Sequence, residues 1–364
     1  MKKNDIIITY GSRPEEMAKE ILAAAKIEEL IGSTDKRIGL KPNLVVANPA
    51  STGATTHPEI LAGTIEYLQE RGYKNITILE GSWVGDRTAS AFSRCGFNDL
   101  ARRYKVNIVD EQHDTYQEYD CKGMKINICD EAMSMDFMIN MPVLKGHCQT
   151  SVTCALKNNK GVIPNTEKRR FHSQGLDRPI AHLNTVAKND FILVDGICGD
   201  LDFEEGGNPV PMNRMLGFLD PVLCDAYVCD LMGYEVSEVP YIGLAAKLGV
   251  GCADTSKANV IELKQPEENL RSLKSGRAVQ RLAKYAEPKD ACSACYGSLI
   301  HALKRLDDKG YLRRLDKPIC IGQGYKGCEG EIGVGSCTCK FAKSLKGCPP
   351  KAIDIYNFIY DEIL

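Results

Sequence analysis

Seven of the sixteen cysteines in this 364-residue chain fall between residues 292 and 348, and that crowding restricts the last quarter more than any other feature. The other nine are scattered over the first 252 residues. A scattered cysteine behaves as a small hydrophobe, so those nine are expected in the core. A crowded set in a reducing compartment is not held as disulfides, which leaves metal binding or thiol redox chemistry. The segment reads Cys292-Ser-Ala-Cys295, then Cys320, Cys328, Cys337-Thr-Cys339 and Gly347-Cys348-Pro-Pro. A Cys-x-x-Cys pair lets two thiolates converge from a single turn, and a later Cys-Pro is the usual last ligand of a four-iron run. Proline carries no N–H and stops the chain from continuing as helix. Gly333 and Gly335, just before Cys337, allow close backbone approach and leave amides free to bond cluster sulfurs. The expectation is a 4Fe-4S cluster on Cys292, Cys295, Cys337 and Cys348. Four thiolates also suit a structural zinc ion, which is the main rival; core cysteines and a thiol redox pair are the others. Cys320, Cys328 and Cys339 stand as alternatives to Cys337 and Cys348, and they complete a second cluster only with another ligand.

Length and composition set the rest of the frame. A chain of this length buries a large core and divides into two or three lobes. Hydrophobic residues make up 43% and charged ones 26%, ordinary values for a soluble globular protein. A net charge of −2 excludes a general nucleic-acid or membrane-surface binder. No apolar run approaches the ~20 residues of a bilayer span, and Ile6–Thr9 is too short for a signal-peptide core. The expected location is the cytoplasm.

The first two-thirds alternates between strand and helix patterns. Strands are expected at Ile6–Tyr10, Ile38–Val46 (interrupted at Pro42), Asn75–Glu80, Val106–Asp110, Asp136–Pro142, Phe191–Asp195 and Ala258–Leu263. Helices are expected at Arg13–Leu30, His57–Arg71 with Thr56 as N-cap, Ala89–Tyr104 broken at Gly96, Asp220–Met232 and Tyr241–Leu248. Met124–Cys129 is expected to pair with Glu118–Cys121. The alternation predicts an α/β fold with a mostly parallel sheet and helices on both faces. It spans residues 1–263. A charged helical connector is expected over 264–288, and a small C-terminal cysteine-rich iron–sulfur subdomain over 289–364.

Between two expected strands lies a polar stretch, residues 145–182, rich in Lys, Asn and His. It starts where an inner strand ends, the edge at which open parallel sheets bind ligands. Lys145, His147, Lys157 and His172 are the catalytic candidates: such a set can hold an anion, supply a nucleophilic lysine or ligate a metal through histidine. Lys41 and Asn43 follow an earlier strand, and His57 opens a helix whose free N–H groups suit an anion; with Asn158 they form the expected ligand-binding set. The competing interpretation is a solvated loop and surface helix, and for His57 a simple capping role. Glu204-Glu205-Gly206-Gly207 reads as a loop.

Six motifs in fixed order then resemble the domain-of-unknown-function family 362 (DUF362): Lys41-Pro-Asn, Thr56-His57-Pro, Lys145-Gly-His147, Thr153-Cys-Ala-Leu-Lys157-Asn158, Gly161-Val-Ile-Pro164, and Asp225 before Leu231-Met-Gly233. The resemblance covers about residues 36–262. Members are often fused to ferredoxin-type clusters, which implies the same of the cysteine-rich end, although this chain lacks the compact ferredoxin run. A fainter similarity is to the N-terminal half of the nickel-pincer lactate racemases. His147, Lys157, Gly161-Val-Ile-Pro164 and His172 fall in comparable order, with His57 in place of an earlier catalytic histidine. In that family the Lys tethers the cofactor and His groups ligate nickel or move protons. This chain departs from it with Leu156-Lys157-Asn158 where the racemases carry Gly-Arg-Lys.

Three functions follow as expectations. One is a redox enzyme or electron-transfer protein that uses the cluster on an unknown small-molecule or anionic ligand and has a redox partner protein. The second is a non-redox isomerase or lyase with a structural cluster. The third is a metal- or cluster-handling protein. No Walker loop or Gly-x-Gly-x-x-Gly fingerprint follows a strand, so ATP or dinucleotide binding is not indicated.

Overall fold

The computed structural model describes residues 1–266, 273 and 277–363. The chain divides into two compact units, one of Met1–Arg169 with Leu176–Ser275, the other of Arg170–Gly175 with Gly276–Leu364. The connector expected over 264–288 falls partly outside the described residues. Its described part holds a short helix, Ala278–Ala283, and a strand, Ala286–Pro288.

The first unit is built on an eight-stranded sheet. Its order is Asn259–Glu262, Asp5–Tyr10, Pro209–Phe218, Phe191–Asp200, Phe137–Met141, Ile38–Pro42, Ile76–Glu80 and Asn107–Asp110. From Phe191–Asp200 to Asn107–Asp110 every neighbour pairs in parallel, and so do the two strands at the opposite edge. Pro209–Phe218 runs antiparallel to both of its neighbours. The α/β, mostly parallel sheet is therefore observed. Burial shows why both faces are covered. Ile7, Leu40, Ile78, Ile139 and Leu193 join one core with Met17, Ile21, Ile60 and Ile65 from helices Pro14–Ala25 and Pro58–Glu70. The alternating residues Ile6, Ile8, Met138, Ile192 and Val194 are also buried, on the other side. A strand buried on both faces reads as a continuous apolar run, as these do.

Several local expectations need correction. The helix expected over Arg13–Leu30 breaks at Lys26, which turns left-handed (φ 52°), giving Pro14–Ala25 and Ile27–Ile31. The strand expected to reach Val46 stops at Pro42, the partner of Met141, which is the end of the neighbouring strand. Thr56 does not cap the helix that follows; His57 holds that position, and its side chain makes no capping bond. The Thr56 hydroxyl is used elsewhere, accepting from Asn43 N and donating to Met141 O, both at 2.8 Å. The strand Pro209–Phe218 was not expected at all.

The polar stretch is largely buried as far as Pro164, and beyond it Thr166, Arg169 and residues 173–175 are exposed. It folds as a tight hairpin, Lys145–His147 with Ser151–Thr153, then the short helix Ala155–Asn158 and a 3-10 turn. The second unit carries a four-stranded parallel sheet in the order Ala286–Pro288, Ile319–Ile321, Ile332–Val334 and Lys343–Leu345. Helices Ser293–Asp308 and Ala352–Glu362 pack together beside it, burying Leu299, Leu303, Leu306, Ile355 and Ile359. Among the described residues, no helix is long and apolar enough to cross a membrane.

Candidate functional site

The parallel strands of the first unit end on one edge at Pro42, Glu80 and Met141, and the polar residues of the unit collect there. Lys145 is fully buried. Its ammonium donates to Asn43 Oδ1 and Glu204 O at 2.9 Å each and to Ala54 O. An ammonium has three protons, so all of its donors are committed and Lys145 acts as a clamp between three loops. Burial, partly offset by Glu204, lowers its pKa to about 8.

Glu204 is the centre of the cluster. Its carboxylate pairs with Lys157 Nζ through one oxygen and with His147 Nε2 at 3.0 Å through the other. The sequence pattern Glu204-Glu205-Gly206-Gly207 predicts only a loop, so the central place of Glu204 is a correction. Gly146 explains how that loop gets in: a Cβ there would lie 2.3 Å from Leu201 O, so the hairpin and the loop touch backbone to backbone. His147 has one defined protonation form. Gln149 N and Thr150 N both donate to Nδ1 at 3.0 Å, so Nδ1 is an acceptor and Nε2 carries the proton toward Glu204. Burial, with Lys157 nearby, pushes its pKa down to about 4. Lys160, on the same segment, falls to about 7 from burial and the charge of Lys157.

Asn158 joins the expected binding set. It accepts from Asn43 Nδ2 at 2.8 Å and donates to Asn140 Oδ1 at 2.7 Å. Lys41 is buried and pairs with Glu80 at 2.8 Å. Gly161 covers this pair so closely that a Cβ would lie 1.9 Å from Glu80 Oε1. Lys168 donates to Gly81 O at 2.8 Å and Ser82 O at 3.1 Å, and burial lowers its pKa to about 8. His57 stands against Asp195, with both its backbone N and its Nδ1 2.8 Å from Oδ2. Burial opposes charge on the ring, but the Asp195 carboxylate outweighs it and raises the pKa. His172 falls in Arg170–Gly175, the segment grouped with the second unit. Glu204, Lys160 and Lys168 are the residues that the sequence does not single out as site residues, whereas Glu80 is legible as the last residue of a strand.

In the second unit, Cys292, Cys295, Cys337 and Cys348 line one cavity of about 310 Å³, with Gly335, Gly347 and the apolar Ile321 and Val334. Cys320, Cys328 and Cys339 are not among its lining residues. Cys292 is the N-cap of the helix Ser293–Asp308 and Cys295 lies in its first turn, where the helix dipole favours negative charge. Gln323 Nε2 donates to Cys292 Sγ at 3.4 Å. Burial raises the thiol pKa of Cys292, and that of Cys295 to about 12 with Cys292, Cys348 and Cys337 adding to the effect. Gly335 and Gly347, at φ 95° and 151°, bring backbone to the cavity wall. The donor set fits an iron–sulfur group: four thiols, an apolar wall and close backbone. Among the described residues, the groups whose ligand atoms lie within 4.8 Å of one another, as a single ion needs, are Cys154–Cys224–Asp225 and Glu111–Asp114–Cys129.

Comparison with known proteins agrees with the sequence motifs. The thylakoid-associated protein sll1697 of Synechocystis is 26% identical over 248 residues, covering 64% of this chain and 73% of that protein. The lactate racemase apoprotein of Thermoanaerobacterium thermosaccharolyticum aligns structurally with a TM-score of 0.43 and 14% identity, over 64% of this chain and 57% of that one. The family model described as a domain of unknown function, DUF362, matches residues 38–230, more than half of the chain. The chain belongs to the DUF362 family.

Proposed function

We propose that this is an iron–sulfur protein of the 4Fe-4S type, a redox enzyme or electron-transfer protein that takes an anionic small molecule at the lysine-rich edge of its sheet. The observation that carries the reading is the convergence of four cysteines, spread from Cys292 to Cys348, on one cavity of about 310 Å³. A single zinc ion holds its thiolates roughly 3.8 Å apart, given a Zn–S bond of ~2.3 Å, and a cavity of this volume is far larger than one ion. When bound, the cluster supplies one-electron transfer. The chain's own part is to furnish four thiolates, those of Cys292 and Cys295 at a helix N-terminus, beside the apolar Ile321 and Val334.

The ligand class follows from charge. Lys41, Lys145, Lys157, Lys160 and Lys168 outnumber the acidic groups gathered at the same edge, Glu80, Glu204, Asp195 and Glu111. Lys157 and His147 grip a carboxylate in this structure, that of Glu204. A ligand carboxylate or phosphate meets the same two groups. A second reading, acid–base chemistry without electron transfer, draws on His147, which is neutral with its proton on Nε2. The cytoplasm remains the proposed location, in line with sixteen free thiols.

Anaerobic purification tests the reading. The expected product is brown, with about four irons and four sulfides per chain, and a redox-active cluster by electron paramagnetic resonance after reduction. A redox-silent cluster would favour the acid–base reading. A colourless protein that holds stoichiometric zinc at these cysteines would sink the cluster altogether.

A further inference from the structure

Three groups of the first unit, outside the cluster around Glu204, meet where the strand Asn107–Asp110 ends beside the hairpin strand Lys125–Cys129. Glu111 follows the first strand, and its backbone N–H donates to Glu80 O at 2.9 Å. Its side chain is wholly buried, neither carboxyl oxygen has a hydrogen-bond partner of ordinary geometry, and burial pushes its pKa up to about 8, with the neighbouring Cys129 thiol opposing that shift. A buried carboxyl left in that state is costly, and a native fold keeps one only for a reason. The Cys129 thiol, also wholly buried, lies 3.4 Å from Glu111 O. Asp114 completes the set, and one ligand atom from each of the three lies within 4.8 Å of the others.

We propose that Glu111, Asp114 and Cys129 form a binding site for one divalent transition-metal ion of the zinc class. The unpartnered carboxylate is the second observation, beyond the clustering, that calls for a ligand. Donor chemistry selects the ion: a thiolate disfavours magnesium and calcium, and one sulfur with two oxygens suits a borderline metal. Ligands around a tetrahedral ion at ~2.0–2.3 Å lie roughly 3.3–3.8 Å apart, so the three atoms need to close by at most about 1.0–1.5 Å. Asp114 is already oriented. Its Oδ1 accepts from Thr115 N at 2.8 Å and its Oδ2 from Glu131 N at 2.7 Å, which leaves each oxygen a lone pair for the metal. Lys168 adds positive potential felt by both Cys129 and Glu111. Three protein ligands leave a fourth position for water. The other close trio, Cys154, Cys224 and Asp225, lacks the decisive sign, because the Asp225 carboxylate already accepts from Leu156 N at 3.3 and 3.4 Å.

The test uses the full chain purified anaerobically, with zinc and iron counted in the same sample. After zinc is added and excess removed, the wild type should retain one equivalent that Glu111→Gln and Cys129→Ser lack, with iron unchanged in all three. Cobalt(II) in place of zinc should give a thiolate-to-metal absorption band that Cys129→Ser abolishes. Equal zinc in wild type and variants overturns the proposal. So does a Glu111→Gln protein that melts above the wild type in the presence of zinc, since removing an unpaired carboxyl then only stabilises. If the variants do not fold, chelation of the zinc-loaded wild type decides: release of no zinc at constant iron overturns the site. Zinc at the cysteine quartet would raise every count by one and leave the difference between wild type and variants intact, so the two failures are separable.

Discussion

At the scale of the residue, the buried edge is governed by which charges have partners. Lys41 and Glu80 are almost wholly buried as a pair, and removing one alone strands the other, a loss of about 3–5 kcal/mol by the general behaviour of buried pairs. Two histidines on the same edge respond oppositely to pH. For His147 the folded pKa is about 4 against ~6.5 in an unfolded chain. As pH falls below ~6.5 the unfolded chain takes a proton that the fold refuses, so stability drops, by about 3 kcal/mol on reaching pH 4. For His57 the folded pKa is raised, so its contribution is full below ~6.5 and is lost as pH rises through the folded value. Histidine-selective 15N NMR should show His147 neutral, with Nε2 protonated, from pH 8 to about 5, and His57 charged at a pH where a free imidazole has lost half its protons. A His147 ring that titrates near 6.5 would contradict the bonds to its Nδ1. The cluster was partly legible in sequence. Lys145, His147, Lys157 and Asn158 announce themselves by density, and Lys41 and Asn43 by position after a strand. Glu204 does not, because Glu-Glu-Gly-Gly has the composition of a solvated turn. Its burial comes from a return across 47 positions to Lys157, which no local pattern encodes. Glu111 was hidden for the same reason.

At the scale of the element, most strands and helices were legible because apolar runs and helical periodicity report burial directly. Failures came where a side chain serves a distant partner. Thr56 has the chemistry of an N-cap, but its hydroxyl ties Asn43 to Met141. Pro209–Phe218 escaped because Pro209 and Pro211 argue against a strand and Asn213 adopts φ 48°. It is nonetheless paired along most of Phe191–Asp200, with a register shift between Gly196 and Cys198. The helix Pro221–Met232 that follows is capped by the side chain of Asp220. Asp220 Oδ1 accepts from Val222 N at 2.8 Å and Leu223 N at 3.0 Å, and Oδ2 from Cys252 N at 2.9 Å. Asp220→Ala should cost about 2 kcal/mol, since a cap and a buried loop amide lose their acceptor together. Asp220→Asn keeps an oxygen for the helix and should recover more than half. Urea midpoints at constant m-value measure both; a loss under a few tenths of a kcal/mol for the alanine variant would show that water replaces the carboxylate.

At the scale of the whole molecule, the chain's two units obtain their stability differently. The first has an extended core on both faces of eight strands. The second builds four strands of three residues each, and its cysteine cavity sits among exposed or half-buried thiols. On the proposed function, a unit this small draws folding free energy from the group its cysteines hold, because an unfolded chain offers no preformed site. The sequence made this legible through cysteine spacing alone: Cys-x-x-Cys, a glycine-rich approach and Cys-Pro-Pro name residues that line one cavity, whatever lies between them. It follows that Cys295→Ser should act on one unit only. With one of four ligands gone, iron content should fall, and the calorimetric transition of the second unit should drop by on the order of 10 °C or more, since 1 kcal/mol moves a domain of this size by ~4–8 °C. The transition of the first unit should stay in place, as Cys295 belongs wholly to the second. Iron retained in full would remove Cys295 from the ligand set. Iron lost with neither transition displaced would mean that the second unit stands on its apolar contacts alone, and that the metal serves chemistry without serving the fold.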